Sequence, residues 1–172
     1  AAIGSSRGAS LLASDRSEHR ADLVRRALHG SPGEHAAIVA DGREFAWAPA
    51  TFDRVLLDAP CTGLGVIRRR PESRWRRTTA DVAALGALQR ELLAAALTSV
   101  RPGGVVGYAT CSPHLAETEL VVDDVCGSFE VERIDVRPLL PEVPDLGAGP
   151  DLRLWPHLHG TDGMFLALLR RL

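Results

Sequence analysis

The stretch Phe52-Asp53-Arg54-Val55-Leu56-Leu57-Asp58-Ala59-Pro60-Cys61-Thr62-Gly63 decides the reading of this chain. Residues 52–57 form an apolar run of strand length. The run ends at Asp58 and passes without a linker into a Pro- and Gly-containing turn that carries a thiol. Working outward, the same pattern recurs. Upstream, residues 9–14 read as a short buried strand ending at Asp15, and Ser17 is the expected N-cap of a helix bearing Ala21, Val24, Ala27 and Leu28, closed by Gly30. A second run, 36–40, ends at Asp41-Gly42. Downstream, Thr78 and Asp81 resemble a capping box that starts the longest helix. Along it Val82, Leu85, Leu88, Leu92, Ala96 and Val100 recur at helical spacing until Arg101-Pro102-Gly103-Gly104 stops it. Residues 105–109 give the next strand, which runs into Thr110-Cys111-Ser112-Pro113. A helix around 117–126, a strand over 129–135 and a Pro/Gly-rich loop over 138–150 follow. The tail reads as a closing pair of antiparallel strands, 152–155 and 164–169, around the turn Gly160-Thr161-Asp162-Gly163.

Strands alternating with helices predict an α/β fold with a mostly parallel sheet covered on both faces, and such sheets gather ligands at the carboxyl ends of their strands. Asp15, Asp41 and Asp58 end three of these strands and Thr-Cys-Ser ends another, so the polar and reactive residues are expected along one edge.

The 172 residues, 45% apolar and 24% charged, are enough for one globular domain with a substantial core. No apolar run approaches the roughly 20 residues needed to cross a bilayer, and the start carries no basic region followed by a long apolar core, so a cytoplasmic protein without membrane association is expected. Cys61, Cys111 and Cys126 are odd in number and not spaced as metal-binding pairs, which points away from a disulfide framework or a metal site and toward thiol chemistry. All twenty basic residues are arginine, which excludes a Schiff base or a lysine general base. Net charge is −2, yet Arg68, Arg69, Arg70, Arg74, Arg76 and Arg77 fall within ten residues. That cluster is either a solvated face or a grip on phosphates, and Trp75 within it is either a base-stacking platform or an anchor in the core. Cys61 and Cys111 are predicted at the same sheet edge. Each taken alone reads as a small buried residue; together they read as one site in which a thiolate meets an electrophile.

The motifs Asp-Ala-Pro-Cys-Thr-Gly-Leu-Gly (58–65), Arg-Pro-Glu-Ser-Arg-Trp (70–75), Ala-Thr-Cys-Ser-Pro (109–113) and Gly-Thr-Asp-Gly-Met-Phe (160–165) resemble those of the Fmu/Sun (RsmB, NSUN) family of RNA 5-methylcytosine methyltransferases, and the resemblance spans essentially the whole chain. It implies a Rossmann-like methyltransferase sheet with an antiparallel last strand. It also implies S-adenosylmethionine as methyl donor and a cytosine in RNA, commonly ribosomal RNA, as acceptor. On this resemblance Cys111 is the nucleophile and Cys61 acts in product release, although in DNA cytosine methyltransferases the Pro-Cys thiol itself attacks, which leaves Cys61 as the alternative nucleophile. Asp58, if protonated there, would donate a hydrogen bond to the cytosine ring nitrogen, and Asp58 and Pro60 would border the cofactor. Asp15 would bind its ribose, and Asp41 with the Gly42 backbone its adenine. For both aspartates a turn-capping role is the other reading. Arg68, Arg69, Arg70 and Arg74 would hold RNA phosphates, whereas His114, His157 and His159 read as structural, with no metal.

Family members also carry, before the strand ending at Asp15, a first strand and a loop resembling Asp-x-Cys-Ala-x-Pro-Gly-Gly-Lys. Residues 1–8 resemble instead the end of the helix that follows this loop. The expectation is therefore a catalytic domain over 1–172 that is N-terminally incomplete and lacks the first strand of its sheet. By itself it should neither bind S-adenosylmethionine tightly nor methylate RNA. Two other functions compete: a doubly wound dehydrogenase, for which no Gly-x-Gly-x-x-Gly is visible, and a noncatalytic RNA-binding module.

Overall fold

A computed structural model describes residues 8–44 and 46–172. Apart from Gly8, the helix end expected over 1–8 lies outside the described residues. The chain divides into two compact units, one ending at Ala46 and one running from Trp47 to Leu172.

In the first unit β1 (Leu11–Asp15) and β2 (His35–Val39) lie parallel, with Leu11 opposite His35 and Asp15 opposite Val39. Parallel neighbours need a crossover, and α1 (Glu18–Leu28) supplies it, burying Ala21 and Leu28. Ser17 is the N-cap by backbone geometry, but its hydroxyl makes no capping bond. Asp15 is engaged at this turn instead, its Oδ1 accepting the Ser17 N–H at 2.7 Å.

The second unit contains β3 (Phe52–Asp58), α2 (Ser73–Arg76), α3 (Thr79–Ser99), β4 (Val100–Thr110), α4 (Glu119–Cys126), β5 (Val131–Ile134), β6 (Leu152–Leu154), α5 (Pro156–His159) and β7 (Met164–Arg171). The sheet runs β3-β4-β7-β5, with β6 also paired to β7. β3 and β4 are parallel, and β7 is antiparallel to β4, β5 and β6, so the antiparallel last strand and the closing β6–β7 pair are both present. The described strands thus form two separate sheets.

β7 separates two cores by its alternation. Phe165, Ala167 and Leu169 face a cluster with Leu93, Leu97, Val106, Tyr108, Val121 and Val122. Leu166 and Leu168 face a smaller one around Val136, Leu146 and Leu152. Helix α3 begins at the expected capping box: the Thr78 N–H donates to the Asp81 carboxylate at 2.8 Å and the Asp81 N–H to Thr78 Oγ1 at 3.3 Å. Its most buried face agrees with the expected one only toward the C-terminal end, where Ala96 and Val100 are buried. Gly86, Gln89, Leu93, Ala96 and Leu97 are buried, while Leu85, Leu88 and Leu92 are only half-buried. Apolar residues surround most of this helix, so their spacing does not single out one face, and polar Gln89 occupies the buried line because it has partners there. β4 also starts earlier than residue 105. The Arg101–Gly104 segment is absorbed as an irregularity between the pairings Phe52–Val100 and Arg54–Val105.

Candidate active site

The parallel β3–β4 pairing ends with Asp58 opposite Ala109, and the Ala59 N–H adds one more bond to the Ala109 carbonyl at 2.9 Å. The two chains therefore leave the sheet side by side. Two or three residues later the Cys61 and Cys111 sulfurs lie 3.2 Å apart, both half-buried. The loops are also tied through their backbones: the Gly65 N–H donates to the Cys111 carbonyl at 2.9 Å, and the Gly65 carbonyl accepts the Gly163 N–H at 2.8 Å. Only glycine fits at 65, since a Cβ there would sit 2.8 Å from the Cys111 carbonyl oxygen and closer still to that of Gly163. The Gly160–Gly163 turn thereby clamps the Cys61 loop.

The thiols are not equivalent. Cys111 is pulled down to about 7 because the Cys61 thiol donates to its thiolate, against the opposing effects of burial and of the negative charges of Asp58 and Glu117. Cys61 is pushed far up, first because ionising it would forfeit that bond, then by burial. The pair thus favours ionisation of Cys111 over that of Cys61.

Beneath the thiols lies a polar cluster that the sequence did not announce. Glu117, fully buried at 0% exposure, closes a 3-10 turn (Leu115–Glu117). Its carboxylate accepts from the Thr62 N–H at 2.8 Å, Thr62 Oγ1 at 2.6 Å, Ser112 Oγ at 2.6 Å and Gln89 Nε2 at 3.3 Å. Gln89 Nε2 also donates to the Pro60 carbonyl at 2.8 Å, and the Tyr108 hydroxyl donates to the Glu117 carbonyl at 2.9 Å. An acidic residue just before a helix reads as an N-terminal charge, so nothing in its spacing signals burial.

Asp58 ends β3 with an exposed carboxylate that accepts no hydrogen bond from the described residues, and Pro60 beside it is exposed. Asp15, Asp41 and Gly42 belong to the first unit. Asp15 carries the turn bond above, with Arg20 at 3.7 Å from its second oxygen. Asp41 accepts from the Arg43 N–H at 3.0 Å and from its guanidinium, which holds the carboxyl far below the usual range.

The arginine cluster sorts into anchors and free ends. Arg69 binds Asp162 through Nε at 2.8 Å and a second N–H, and Arg77 Nε donates to the Thr62 carbonyl at 3.0 Å, so the segment is fastened on one side to the Gly160–Gly163 turn and on the other to the Cys61 loop. Arg68 lies 3.9 Å from Asp162. Arg70, Arg74 and Arg76 are exposed and make no ion pair with the described residues. Trp75 is 82% exposed, which overturns the core-anchor reading: the four-residue α2 presents the indole to solvent rather than to the sheet. His114 Nδ1 accepts the Ala116 N–H and the His159 ring meets the Trp155 N–H and the Pro144 carbonyl. Among the described residues no group of three His, Cys, Asp or Glu could hold a metal ion, and no helix is long and apolar enough to cross a membrane.

Residues 3–170 match the family model described as 16S rRNA methyltransferase RsmB/F. The chain belongs to that family. A Mycobacterium tuberculosis protein named as a methyltransferase candidate is 57% identical over 173 residues, covering 100% of this chain and 37% of its own length. A human 28S rRNA (cytosine-C5)-methyltransferase is 35% identical over 182 residues, covering 94% of this chain and 22% of its own. The crystal structure of NSun6 from Pyrococcus horikoshii with SFG, an S-adenosylmethionine analogue, superposes with a TM-score of 0.76 at 29% identity over 94% of this chain and 41% of that one. This RsmB/F chain therefore spans well under half the length of these relatives. Its fold is the Rossmann-like methyltransferase sheet, mixed and mostly parallel, and the dehydrogenase alternative is set aside.

Proposed function

We propose that this RsmB/F chain carries the catalytic thiols of an enzyme that transfers a methyl group from S-adenosylmethionine to carbon 5 of a cytosine in ribosomal RNA through a covalent Cys111 adduct. The observation that carries the reading is the Cys61–Cys111 pair, its sulfurs 3.2 Å apart so that one thiol can donate to the other. Carbon 5 of cytosine is too weak a nucleophile to take a methyl group unaided. When the Cys111 thiolate bonds to carbon 6, the electron pair of the 5,6 double bond moves to carbon 5, which then attacks the methyl group. Removal of the carbon 5 proton afterwards restores the double bond and breaks the bond to sulfur. Asp58, exposed at the end of β3, lies in the same strand–turn as Cys61 and is proposed, once it has taken up a proton, to donate a hydrogen bond to the cytosine ring nitrogen. The pair would serve equally a Cys61 nucleophile by reach alone, but the order of ionisation favours Cys111.

The first unit fits the nucleoside end of the cofactor. Asp15 keeps acceptor capacity on its second oxygen for a ribose diol, and Asp41, fixed by Arg43, presents Gly42 and its backbone to an adenine. Within the second unit, Asp58 and Pro60 are themselves proposed cofactor-bordering residues. S-adenosylmethionine would supply an electrophilic methyl group. Arg68, Arg69, Arg70 and Arg74 are the proposed phosphate contacts, with Arg69 shared with Asp162. Exposed Trp75 suits a stacked base.

The test is a pair of substitutions in the complete enzyme. Cys111→Ser should abolish methylation, whereas Cys61→Ser should trap a covalent protein–RNA adduct visible on denaturing gels. An adduct from Cys111→Ser and none from Cys61→Ser would make Cys61 the nucleophile. Methylation surviving Cys111→Ser would favour the noncatalytic RNA-binding reading.

A further inference from the structure

Glu117 makes no hydrogen bond to either sulfur among the described residues, yet its side chain is bonded to both residues that directly follow the cysteines, Thr62 and Ser112. Its carboxylate takes the Thr62 N–H and hydroxyl on one side and the Ser112 hydroxyl on the other, at 2.6–2.8 Å, while Gln89 ties it to α3 at 3.3 Å. All four groups are donors. A carboxylate, which only accepts, matches them as no other side chain of its size does. The cluster is sealed, with Thr62, Gln89, Ser112 and Glu117 each at most 1% exposed. Breaking a bond there leaves a buried donor without a partner, so the geometry is held firmly. The Ser112 hydroxyl further accepts the His114 N–H at 3.2 Å, carrying the bracing into the Cys111 loop backbone.

We propose that Glu117 is a positioning residue that holds the Cys61 and Cys111 loops in the register where one thiol donates to the other. The proposal rests on the reading that these thiols perform the chemistry, and it adds a role for a residue that never meets RNA or cofactor. Glu117 acts on Cys111 in two opposed ways. Its charge disfavours the neighbouring thiolate, as does that of Asp58, whereas its bonds maintain the Cys61 donor that favours it. Two substitutions separate these effects. In Glu117→Gln the amide oxygen still accepts from Thr62 N–H and Gln89, and the amide nitrogen donates to the Thr62 and Ser112 hydroxyls, which rotate to accept. The register stays and the charge goes. In Glu117→Ala both go.

The measurement is the pH midpoint of Cys111 alkylation by iodoacetamide, read by mass spectrometry on the complete enzyme, with methylation kinetics alongside. Glu117→Gln should leave the midpoint where it is or lower it, and should keep kcat within a few-fold of wild type. Glu117→Ala should raise the midpoint toward that of an ordinary thiol. It should also lower kcat by about a hundredfold, the penalty of roughly 1 Å of misplacement, with little change in KM for RNA. If Glu117→Ala fails to fold, judged by urea unfolding, Ser112→Ala removes a single brace and should raise the midpoint in the same direction. A midpoint lowered in both Glu117 variants would leave Glu117 a charge alone and overturn the proposal, as would midpoints and kcat unchanged in Glu117→Ala. A wild-type enzyme that methylates no RNA would refute the functional reading instead, while the alkylation midpoints would still report on the brace.

Discussion

Replacing Gly65 by alanine should strain the joint between the two thiol loops. The added Cβ would lie 2.8 Å from the Cys111 carbonyl oxygen, against roughly 3.4 Å for a tolerable contact, and still closer to the Gly163 carbonyl. Both obstacles are main-chain atoms, so no side-chain rotation relieves them. The loop must move by more than half an ångström, about 0.6 Å from the first contact alone. It then stretches two hydrogen bonds, Gly65 N–H to Cys111 at 2.9 Å and Gly163 N–H to Gly65 at 2.8 Å. Overpacking costs about 1–3 kcal/mol and each weakened bond about 0.5–1.5 kcal/mol, so a loss of about 2–6 kcal/mol is expected. Gly63→Ala is the comparison. Its φ of +72° penalises a side chain, but its Cβ meets nothing nearer than Val66 at 3.7 Å, leaving only the left-handed conformation to oppose it, about 1–2 kcal/mol. Urea unfolding followed by circular dichroism, with slopes compared to exclude a change in the unfolded state, gives both values. A Gly65→Ala protein within about 0.5 kcal/mol of wild type would refute the inference that this backbone approach holds the loops together.

Three further outcomes are expected. Cys61→Ala removes the donor to the Cys111 thiolate, so the alkylation midpoint of Cys111 should climb from about 7 toward the ordinary 9.0, and its thiolate fraction at pH 7.5 should fall about 25-fold; an unmoved midpoint would mean the hydrogen bond between the two sulfurs is not what lowers it. Arg70→Ala with Arg74→Ala should weaken RNA binding and reduce the magnitude of the log-affinity against log-salt slope by about one to two, measured by filter binding at several salt concentrations, and an unchanged slope would return these residues to a solvated face. Thr78→Ala should destabilise the second unit by about 1 kcal/mol through loss of the capping box on α3, which thermal unfolding would report as a Tm lower by about 2–4 °C.

The elements were legible where periodicity and end signals agreed. β3 and its Asp58 terminus, the Thr78–Asp81 box and the β6–β7 pair follow directly from an apolar run of strand length, capping chemistry and turn residues. The face of α3 was not legible, because leucines and alanines cover so much of it that burial is decided by neighbours. Gln89 lies inside for the sake of Pro60 and Glu117, two partners distant in sequence. The convergence of Cys61 and Cys111 was readable, since two thiols that follow adjacent parallel strands must emerge together. The carboxylate joining Thr62 to Ser112 was not, because a buried acid looks in sequence like any acid at a helix start. Asp162 escaped for a similar reason: a Gly-Thr-Asp-Gly turn accounts for an aspartate without an arginine 93 residues away in sequence.

The pairing of the thiols also orders the proposed reaction in time. While Cys111 is a free thiolate, Cys61 must stay protonated, because its proton is the bond that keeps Cys111 ionised and because a second thiolate 3.2 Å away would be repelled. Once Cys111 is bonded to carbon 6 its sulfur is a neutral thioether. The charge that disfavoured ionisation of Cys61 is then gone, and the acceptor for its proton is much weaker. The same half-buried thiol thus more readily gives its proton to solvent at the stage when the proton on carbon 5 has to be taken by a base. When that proton has moved and the bond from carbon 6 to sulfur breaks, the electron pair returns to Cys111 as a thiolate, and Cys61, again protonated, donates to it. A base that acted earlier would compete with attack, and one held farther away would not sense the adduct. Contact between the sulfurs, maintained by Gly65 and by the Glu117 brace, is what lets one cysteine report the covalent state of the other.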